Sequence, residues 1–440
     1  RKWGLSISIS SSTHKILIRS IVLSLIKITA QAVYLKRTLF NDPIYGFIAI
    51  ETNLILQLIN HRFFQRLRRI SQMGLSSLVY PGAHHTRFEH ALGAMHVMQK
   101  AIEVLTQKGI AISAEENEAM QIAILLHDIG HGPFSHASEK ILLKGKTHEE
   151  LSLRIIQNLN EEFKGALGLA IQIFTNSYPR KFMHQLVSSQ IDVDRLDYLK
   201  RDSFYTGVTE GNINTQRILN TMHVEEENLV FESKGIHSLE KFLLARRLMY
   251  WQVYLHKTSL AAELLLVKVL ERFWELVNSG EEVLSPTHSF YPLIHRSSDE
   301  SLSDSVLLHY LTLEDSNILH LLKQWLGHAD FVLRSLSKQI LFRQLPKIKI
   351  QSEPFDTKIL AHKGKRLQDR SISQKEIAYF VFSGSISNQT YSPDHTQILL
   401  KNKSGKPTPL AETIDYLDFN TFSKPLYRYY LCYPKRHFSL

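Results

Sequence analysis

A chain that carries IAILLHDIGHGPFSHAS (Ile122–Ser138) has few ways to fold around it. Ala123, Ile124, Leu125 and Leu126 form an apolar helical run that delivers His127 and Asp128 side by side. Gly130, His131, Gly132 and Pro133 follow at once, and both Gly and Pro oppose helix continuation. The helix is therefore expected to stop there, with its polar residues at the terminus and facing a cavity. An adjacent His and Asp among apolar residues are costly to bury unless something satisfies them, and a divalent metal does so. A capped helix end in an ordinary core is the plainer alternative, and the rest of the chain decides between the two.

The surrounding texture is helical. Leu92, Met95, Met98, Ile102 and Leu105 keep helical spacing within His84–Leu105, and Gly109 closes that element. Ser113 and Glu116 make a capping box for the helix that runs to Asp128. Further helices are expected at Thr52–Ile59, Phe63–Met73, Gln185–Asp202 and, as one unusually long element, Ser238–Val277. Asn41–Ile48 reads as a turn-rich entry, and Leu229–Ser233 is the one short strand candidate of the core. After about Pro286 the pattern is mixed, with strand-like runs at Lys347–Gln351, Ile377–Phe382, Gln397–Lys401 and Leu426–Tyr433. The expected fold class is mainly α. It comprises an N-terminal extension over 1–37 to which no role is assigned, an all-helical core over 38–285, and a smaller α+β lobe over 286–440.

Bulk properties narrow the function. The 440 residues suffice for two or three domains, and 44% hydrophobic with 21% charged residues is ordinary for a soluble globular protein. Ile16–Val33 is apolar but broken by Arg19 and Lys27, a poor membrane span, so no membrane partner is expected. The single cysteine, Cys432, excludes an intramolecular disulfide framework and a thiolate zinc cluster, and fits a cytoplasmic setting. A net charge of +10 points to an anionic partner, nucleotide or nucleic acid. No long Lys/Arg run marks a dedicated nucleic-acid face, so only weak RNA or single-stranded DNA binding is left open.

Four candidate metal ligands fall on three separate helices: His90, the His127–Asp128 pair, and Asp194. This donor set suits Mn, Fe, Mg, Ni or Zn without choosing among them, and leaves positions open for water and substrate oxygens. Around Asp194, a single helical stripe carries Arg195, Tyr198 and Asp202. Such a face suits a phosphate-and-sugar ligand, or else is a solvated face with local ion pairs.

Four segments occur in order: HTRFEH (His85–His90), HDIGHGPFSH (His127–His136), THE (Thr147–Glu149) and DVDRLDY (Asp192–Tyr198). Together they resemble the HD-domain phosphohydrolases. Within that family they are most similar to the deoxynucleoside-triphosphate triphosphohydrolases, the group holding the SAM-and-HD-domain enzyme of animals and its bacterial relatives. The likeness runs from Asn41 to about Lys257, and no SAM domain is read in this chain. It implies that His90, His127, Asp128 and Asp194 hold a divalent metal. By the same likeness His131, His136 and His148 surround the scissile α-phosphate, with His136 as general acid for the leaving 5′-oxygen. Its carboxylate partner is usually Asp; Glu139 stands there, one methylene longer, which shifts or removes that relay.

The resemblance also implies substrate residues. Arg87, Arg195, Arg246 and Lys257 would clamp the triphosphate with Tyr198 nearby, since the Arg fork binds phosphate oxygens in pairs. Gln72 and Asp202 would hold the sugar 3′-hydroxyl, and Tyr254 would crowd the 2′ position against ribonucleotides. A nucleotide effector would be read at Asn60, Gln65 and Arg68. Asn60 stands where the family's guanine-reading Asp is found, and its amide offers one acceptor and a donor, so an effector other than guanine, or none, fits this chain. Assembly as a homo-oligomer, dimer or tetramer, is likewise implied. The expected reaction releases deoxynucleoside and inorganic triphosphate. The alternatives are HD chemistry on another nucleotide (a 5′-phosphatase, a cyclic-nucleotide or an alarmone hydrolase) and a non-catalytic nucleotide- or nucleic-acid-binding protein.

Overall fold

The computed structural model describes residues 38–135, 137, 146–285, 287–294, 303–388, 397–401, 407–413 and 426–435. The extension over 1–37, His136 and Glu139 lie outside the described residues.

The entry segment is a hairpin rather than a loop: β1 (Thr38–Asp42) pairs antiparallel with β2 (Gly46–Ile50). The Asp42 carboxylate closes its turn by accepting the N–H groups of Ile44 and Tyr45 at 2.8 and 3.0 Å. Thr52 caps α1 (Asn53–Asn60). In place of a helix over Phe63–Met73 the chain makes a helical turn (Arg62–Gln65) and two 3-10 turns (Arg66–Arg69 and Gly74–Leu78).

Helices α2 (Arg87–Gln107) and α3 (Ala114–Leu126) open on capping boxes, Thr86 with Glu89 and Ser113 with Glu116. The expected apolar stripe Leu92, Met95, Met98, Ile102, Leu105 is the buried face of α2. Then come α4 (His148–Glu162), α5 (Gly168–Phe174), α6 (Lys181–Val187) and α7 (Val193–Thr206). The expected helix Gln185–Asp202 is thus split. Asp192 turns its side chain onto the N–H groups of Ser189 and Arg195, each at 2.8 Å, and an N-cap requires extended backbone at that residue. Helix α2 packs on both α3 and α7, so those three form the centre of the core.

After α8 (Thr215–Thr221), β3 (Met222–Glu225) and β4 (Asn228–Glu232) form a second hairpin, so the strand read at Leu229–Ser233 has a partner. The long helix expected over Ser238–Val277 is two helices, α9 (Ile236–Met249) and α10 (Lys257–Asn278), joined by a π-helical segment, Tyr250–Tyr254. His256, at ψ 128°, leaves helical backbone and caps α10. The remaining elements are α11 (Asp304–Tyr310), α12 (Asp315–Gln324), α13 (Phe331–Leu341), β5 (Lys347–Gln351), α14 (Thr357–Gln368), α15 (Gln374–Phe380), β6 (Phe382–Asn388), β7 (Leu399–Lys401), β8 (Pro407–Pro409) and β9 (Leu426–Tyr433). Ile377–Phe382, read as a strand, is mostly the end of α15, because Ser373 and Glu376 build a capping box just ahead of it. The order β5-β9-β6 makes an antiparallel sheet, while β7 adds in parallel to β4 of the core and β8 pairs antiparallel with β7. The architecture is helical with small sheets, and the α+β region is stitched to the core through that parallel pair. Among the described residues no helix is long and apolar enough to cross a membrane.

Candidate active site

His90 in the first turn of α2, His127 at the C-cap of α3 and Asp194 in the first turn of α7 bring their ligating atoms within 4.8 Å of one another. Asp194 Oδ1 lies 3.1 Å from His90 Nε2 and 3.4 Å from His127 Nε2. Asp128 flanks them, 3.3 Å from His127 Nε2 and 3.9 Å from His90 Nε2. Both Nε2 atoms are buried and have no hydrogen-bond partner. The opposite ring nitrogens are engaged: His90 Nδ1 with Asp197 at 2.8 Å, His127 Nδ1 with the Ile124 carbonyl at 2.7 Å. A carbonyl only accepts, so Nδ1 of His127 carries the proton and its Nε2 presents a lone pair. Lone pairs and a carboxylate that converge without hydrogen-bonding one another fit a divalent cation, as expected from the sequence.

The electrostatics agree. Burial opposes charge on His90, yet the carboxylates of Asp194 and Asp197 outweigh it, so the surroundings of that ring favour a positive charge beside it. Burial also works against ionised Asp194 and Asp128. The imidazoles of His127 and His90 nevertheless lower the first, and those of His127 and His131, with Arg87, hold the second well below the usual carboxylate range. Both carboxylates stay ionised in neutral solution, available to balance a dication.

Behind His90 stands a tier of residues not singled out in the sequence. Asp197 is fully buried and accepts from Arg201 Nε at 2.9 Å and Nη2 at 3.0 Å; Arg201 Nη1 donates to Asp42 at 2.8 Å. Gly93 makes room for this pair, since a β-carbon there would sit 2.1 Å from both Arg201 Nη2 and Asp197 Oδ1. The signal was present as the i,i+4 spacing of Asp197 and Arg201, but on a charge-dense helix that spacing also describes a solvated ion pair. An Asp197→Asn variant should bind metal about 10–100-fold more weakly, the usual cost of losing a carboxylate behind a ligating His. Calorimetric titration with Mn²⁺ measures this, and unchanged affinity would show that packing alone orients the ring.

A second group, Asp128, His131 and His148, also gathers its ligating atoms within 4.8 Å. His131 Nε2 lies 3.5 Å from Asp128 Oδ1, its ring stacks on His148 at 3.8 Å, and His148 Nε2 is 3.2 Å from Glu149. The loop that carries His131 is pinned from afar. Buried Arg66 donates to the carbonyls of Ile129, His131 and Leu313 at 3.1, 2.8 and 2.9 Å, and Tyr310 donates to Gly130 O at 3.1 Å. Phe134 adopts φ +47°, a conformation unfavourable for a side chain with a β-carbon, and its N–H is held by Asp315 at 2.9 Å.

Beside the ligand group lies a cavity of about 340 Å³, of the size that takes a small organic ligand. Gln72, Arg87, Tyr198, Asp202 and Tyr254 line it, five of the eight residues expected to bind substrate. Arg87 joins cavity to ligands through Asp128 at 2.5 Å and Ser135 at 3.0 Å, and the Tyr198 ring meets His90 edge-on at 6.5 Å. Asp202 is fixed from both sides, by His85 Nε2 at 2.7 Å and the Tyr254 hydroxyl at 2.6 Å. Buried His85 went unassigned in the sequence, although it opens the HTRFEH segment.

The other three expected clamps do not line the cavity, although Arg195 and Arg246 act electrostatically on Tyr198 in its wall. Arg195 is ion-paired with Asp192, Arg246 is turned inward with Nη1 lacking a partner, and Lys257 is exposed at the start of α10. The π segment separates Arg246 from Lys257 and breaks the single stripe expected for Arg246, Tyr250, Tyr254 and Lys257. Of the effector candidates, Asn60 and Arg68 are exposed. Gln65 accepts from Arg68 at 2.9 Å and donates to Ile59 O at 2.8 Å, and the Arg68 guanidinium lies 3.6 Å over the Phe88 ring.

Residues 87–202 match the HD domain and residues 213–286 the HD associated region. The uncharacterized protein YwfO of Bacillus subtilis (strain 168) is 35% identical over 317 residues, 70% of this chain and 71% of that one. The deoxynucleoside triphosphate triphosphohydrolase SAMHD1 homolog of Dictyostelium discoideum is 30% identical over 267 residues, 56% of this chain and 52% of that one. This chain therefore spans about half the length of that relative. The crystal structure of a phosphohydrolase from Bacteroides thetaiotaomicron superposes with a TM-score of 0.86 at 46% identity, covering 91% of this chain and all of that one.

Proposed function

Since the chain belongs to the HD-domain phosphohydrolases, enzymes that work with a divalent metal, we propose that its substrate is a deoxynucleoside triphosphate, split into deoxynucleoside and inorganic triphosphate. One observation carries this reading. On the cavity wall Arg87 Nε and Gln72 Oε1 are buried without a partner, a guanidinium donor and an amide acceptor, and Arg195 and Arg246, each with an unpartnered guanidinium nitrogen, act electrostatically on Tyr198 of the same wall. Guanidinium groups suit a polyphosphate, and the Gln72 acceptor suits a sugar hydroxyl. A nucleoside monophosphate offers fewer phosphate oxygens to these donors than a triphosphate does.

His90, His127, Asp128 and Asp194 would hold the metal. When bound, it supplies Lewis acidity to the phosphoryl group under attack. Arg87, fixed on Asp128 and Ser135, offsets charge that spreads over the phosphoryl oxygens as the bond breaks. His131 and His148 stand on the Asp128 side of the ligand group, within reach of that phosphate. His136, outside the described residues, is the general acid in this reading and hands a proton to the departing 5′-oxygen. Asp202 and Gln72 orient the sugar. The Tyr254 hydroxyl, tied to Asp202, occupies the space beside it and disfavours a 2′-hydroxyl. Homo-oligomeric assembly and an effector site beside Gln65 and Arg68 are further proposals from the same likeness.

Each of the four dNTPs incubated with the purified protein and Mn²⁺ or Mg²⁺, with and without added dGTP, should yield deoxynucleoside and triphosphate in equal amounts. Chromatographic separation of the products tests this. Release of pyrophosphate or orthophosphate instead would overturn the reading.

A further inference from the structure

One carboxyl on the cavity wall is not used by the metal, the phosphates or the sugar. Glu263 faces the cavity from α10, one turn before Leu266, which lines it too. Across from it the 3-10 turn Gly74–Leu78 comes so close that a β-carbon on Gly74 would lie 3.8 Å from Glu263 Oε1. Apolar Met73, Leu75 and Leu255 complete this end. Helix α10 packs on that turn and on α13, whereas the ligand-bearing helices α2, α3 and α7 pack on one another through α2. Glu263 therefore belongs to the wall away from the metal group.

No hydrogen bond or ion pair reaches Glu263 from any described residue, and burial alone pushes its carboxyl up to about 7. A half-buried carboxyl that faces a cavity without a protein partner is free to accept from a ligand that enters it. The inference rests on the deoxynucleotide reading above. With the triphosphate at Arg87 and the sugar at Gln72 and Asp202, the base is left to the apolar end that holds Glu263. At pH 8 and above, where this carboxyl is mainly ionised and where the competition below is run, it accepts only. Guanine presents N1–H and its exocyclic amine side by side, two donors for two oxygens. Adenine and cytosine present an amine next to a ring nitrogen acceptor. Thymine presents one N–H between two carbonyl oxygens, which repel a carboxylate.

We propose that Glu263 reads the base, accepting N1–H and the amine of guanine, so that dGTP is the best and dTTP the poorest of the four substrates.

The test is a competition: an equimolar mixture of the four dNTPs with Mn²⁺, the four deoxynucleosides being quantified at early times. Every nucleotide is then present for every form of the enzyme, so the product ratios report relative kcat/KM whatever activates it. Wild type should release deoxyguanosine over thymidine by about ten-fold or more, because a carboxylate enclosed with the base in the cavity accepts from one edge and repels the carbonyl oxygens of the other. Glu263→Gln offers thymine a donor and Glu263→Leu offers no polar group, so in both the ratio should fall to within about three-fold. Both variants should melt no lower than wild type, since an unpaired carboxyl adds nothing to stability; a lower midpoint would mark a structural role. A ratio near one in wild type, or one unchanged in both variants, would overturn the base assignment while leaving the triphosphohydrolase reading intact. No deoxynucleoside from wild type would overturn that reading, and the base assignment with it.

Discussion

A His127→Ala variant should lose its metal and its turnover together, with kcat down about 10³-fold or more. A catalytic metal is worth several kcal/mol of transition-state stabilisation, and each 1.36 kcal/mol is about a factor of ten in rate. The fold should survive, because the hydrogen bond that goes among the described residues is His127 Nδ1 to the Ile124 carbonyl, worth about 1 kcal/mol. Metal content by mass spectrometry and product formation from a dNTP measure the two losses in one sample. Tyr254→Phe is the control: it removes the hydroxyl that holds Asp202 but touches no ligand, so it should keep a full metal load. Wild-type turnover in His127→Ala would sink the assignment of the site.

Replacing Arg201 should cost more stability than any other single change near the site. Its guanidinium is fully buried and holds the Asp197 and Asp42 carboxylates. Arg201→Met leaves both buried without their cation, and breaking such a pair costs about 3–5 kcal/mol. Urea unfolding of the variant should show that loss, together with weaker metal binding once Asp197 no longer holds the His90 ring. Removing the orphaned charge as well, in Asp197→Asn/Arg201→Met, should recover part of the stability but none of the metal affinity. A loss below about 1 kcal/mol in the single variant would mean that the carboxylates find water, against their burial.

The residues that converge at the candidate site were legible because their chemistry is unusual for where they sit. A His-Asp pair inside an apolar helix, ahead of Gly-His-Gly-Pro, has few explanations, and the ordered likeness supplied the distant members His90 and Asp194. What was hidden were residues whose meaning depends on a partner far along the chain. Asp197 and Arg201 read as a surface ion pair until Asp42 and Gly93 are seen against them, and Glu263 reads as one more acid on an amphipathic helix. The same holds for the elements. Helix starts with capping boxes were readable, since the box spans four residues. The breaks at Ser188–Asp192 and at the π segment were not, since the apolar periodicity carries on across both. The hairpin Thr38–Ile50 was missed because its strands are short and apolar Leu39 and Phe47 stand on the exposed face, which blurs alternation.

The pinning of the His131 loop sets an order of events during synthesis. Asp315, which holds the strained Phe134, lies 181 residues downstream of it, and Leu313, which completes the Arg66 set, lies 247 residues beyond Arg66. At about 5–20 residues per second, the ribosome delivers Asp315 roughly 10–40 s after Phe134. Through that interval the four proposed metal ligands, Asp194 last, have been made while their central loop lacks its last supports. The nascent chain can thus collect a metal before it can arrange the histidines beside it, and catalytic competence arrives with α12 rather than with the motif that announces it.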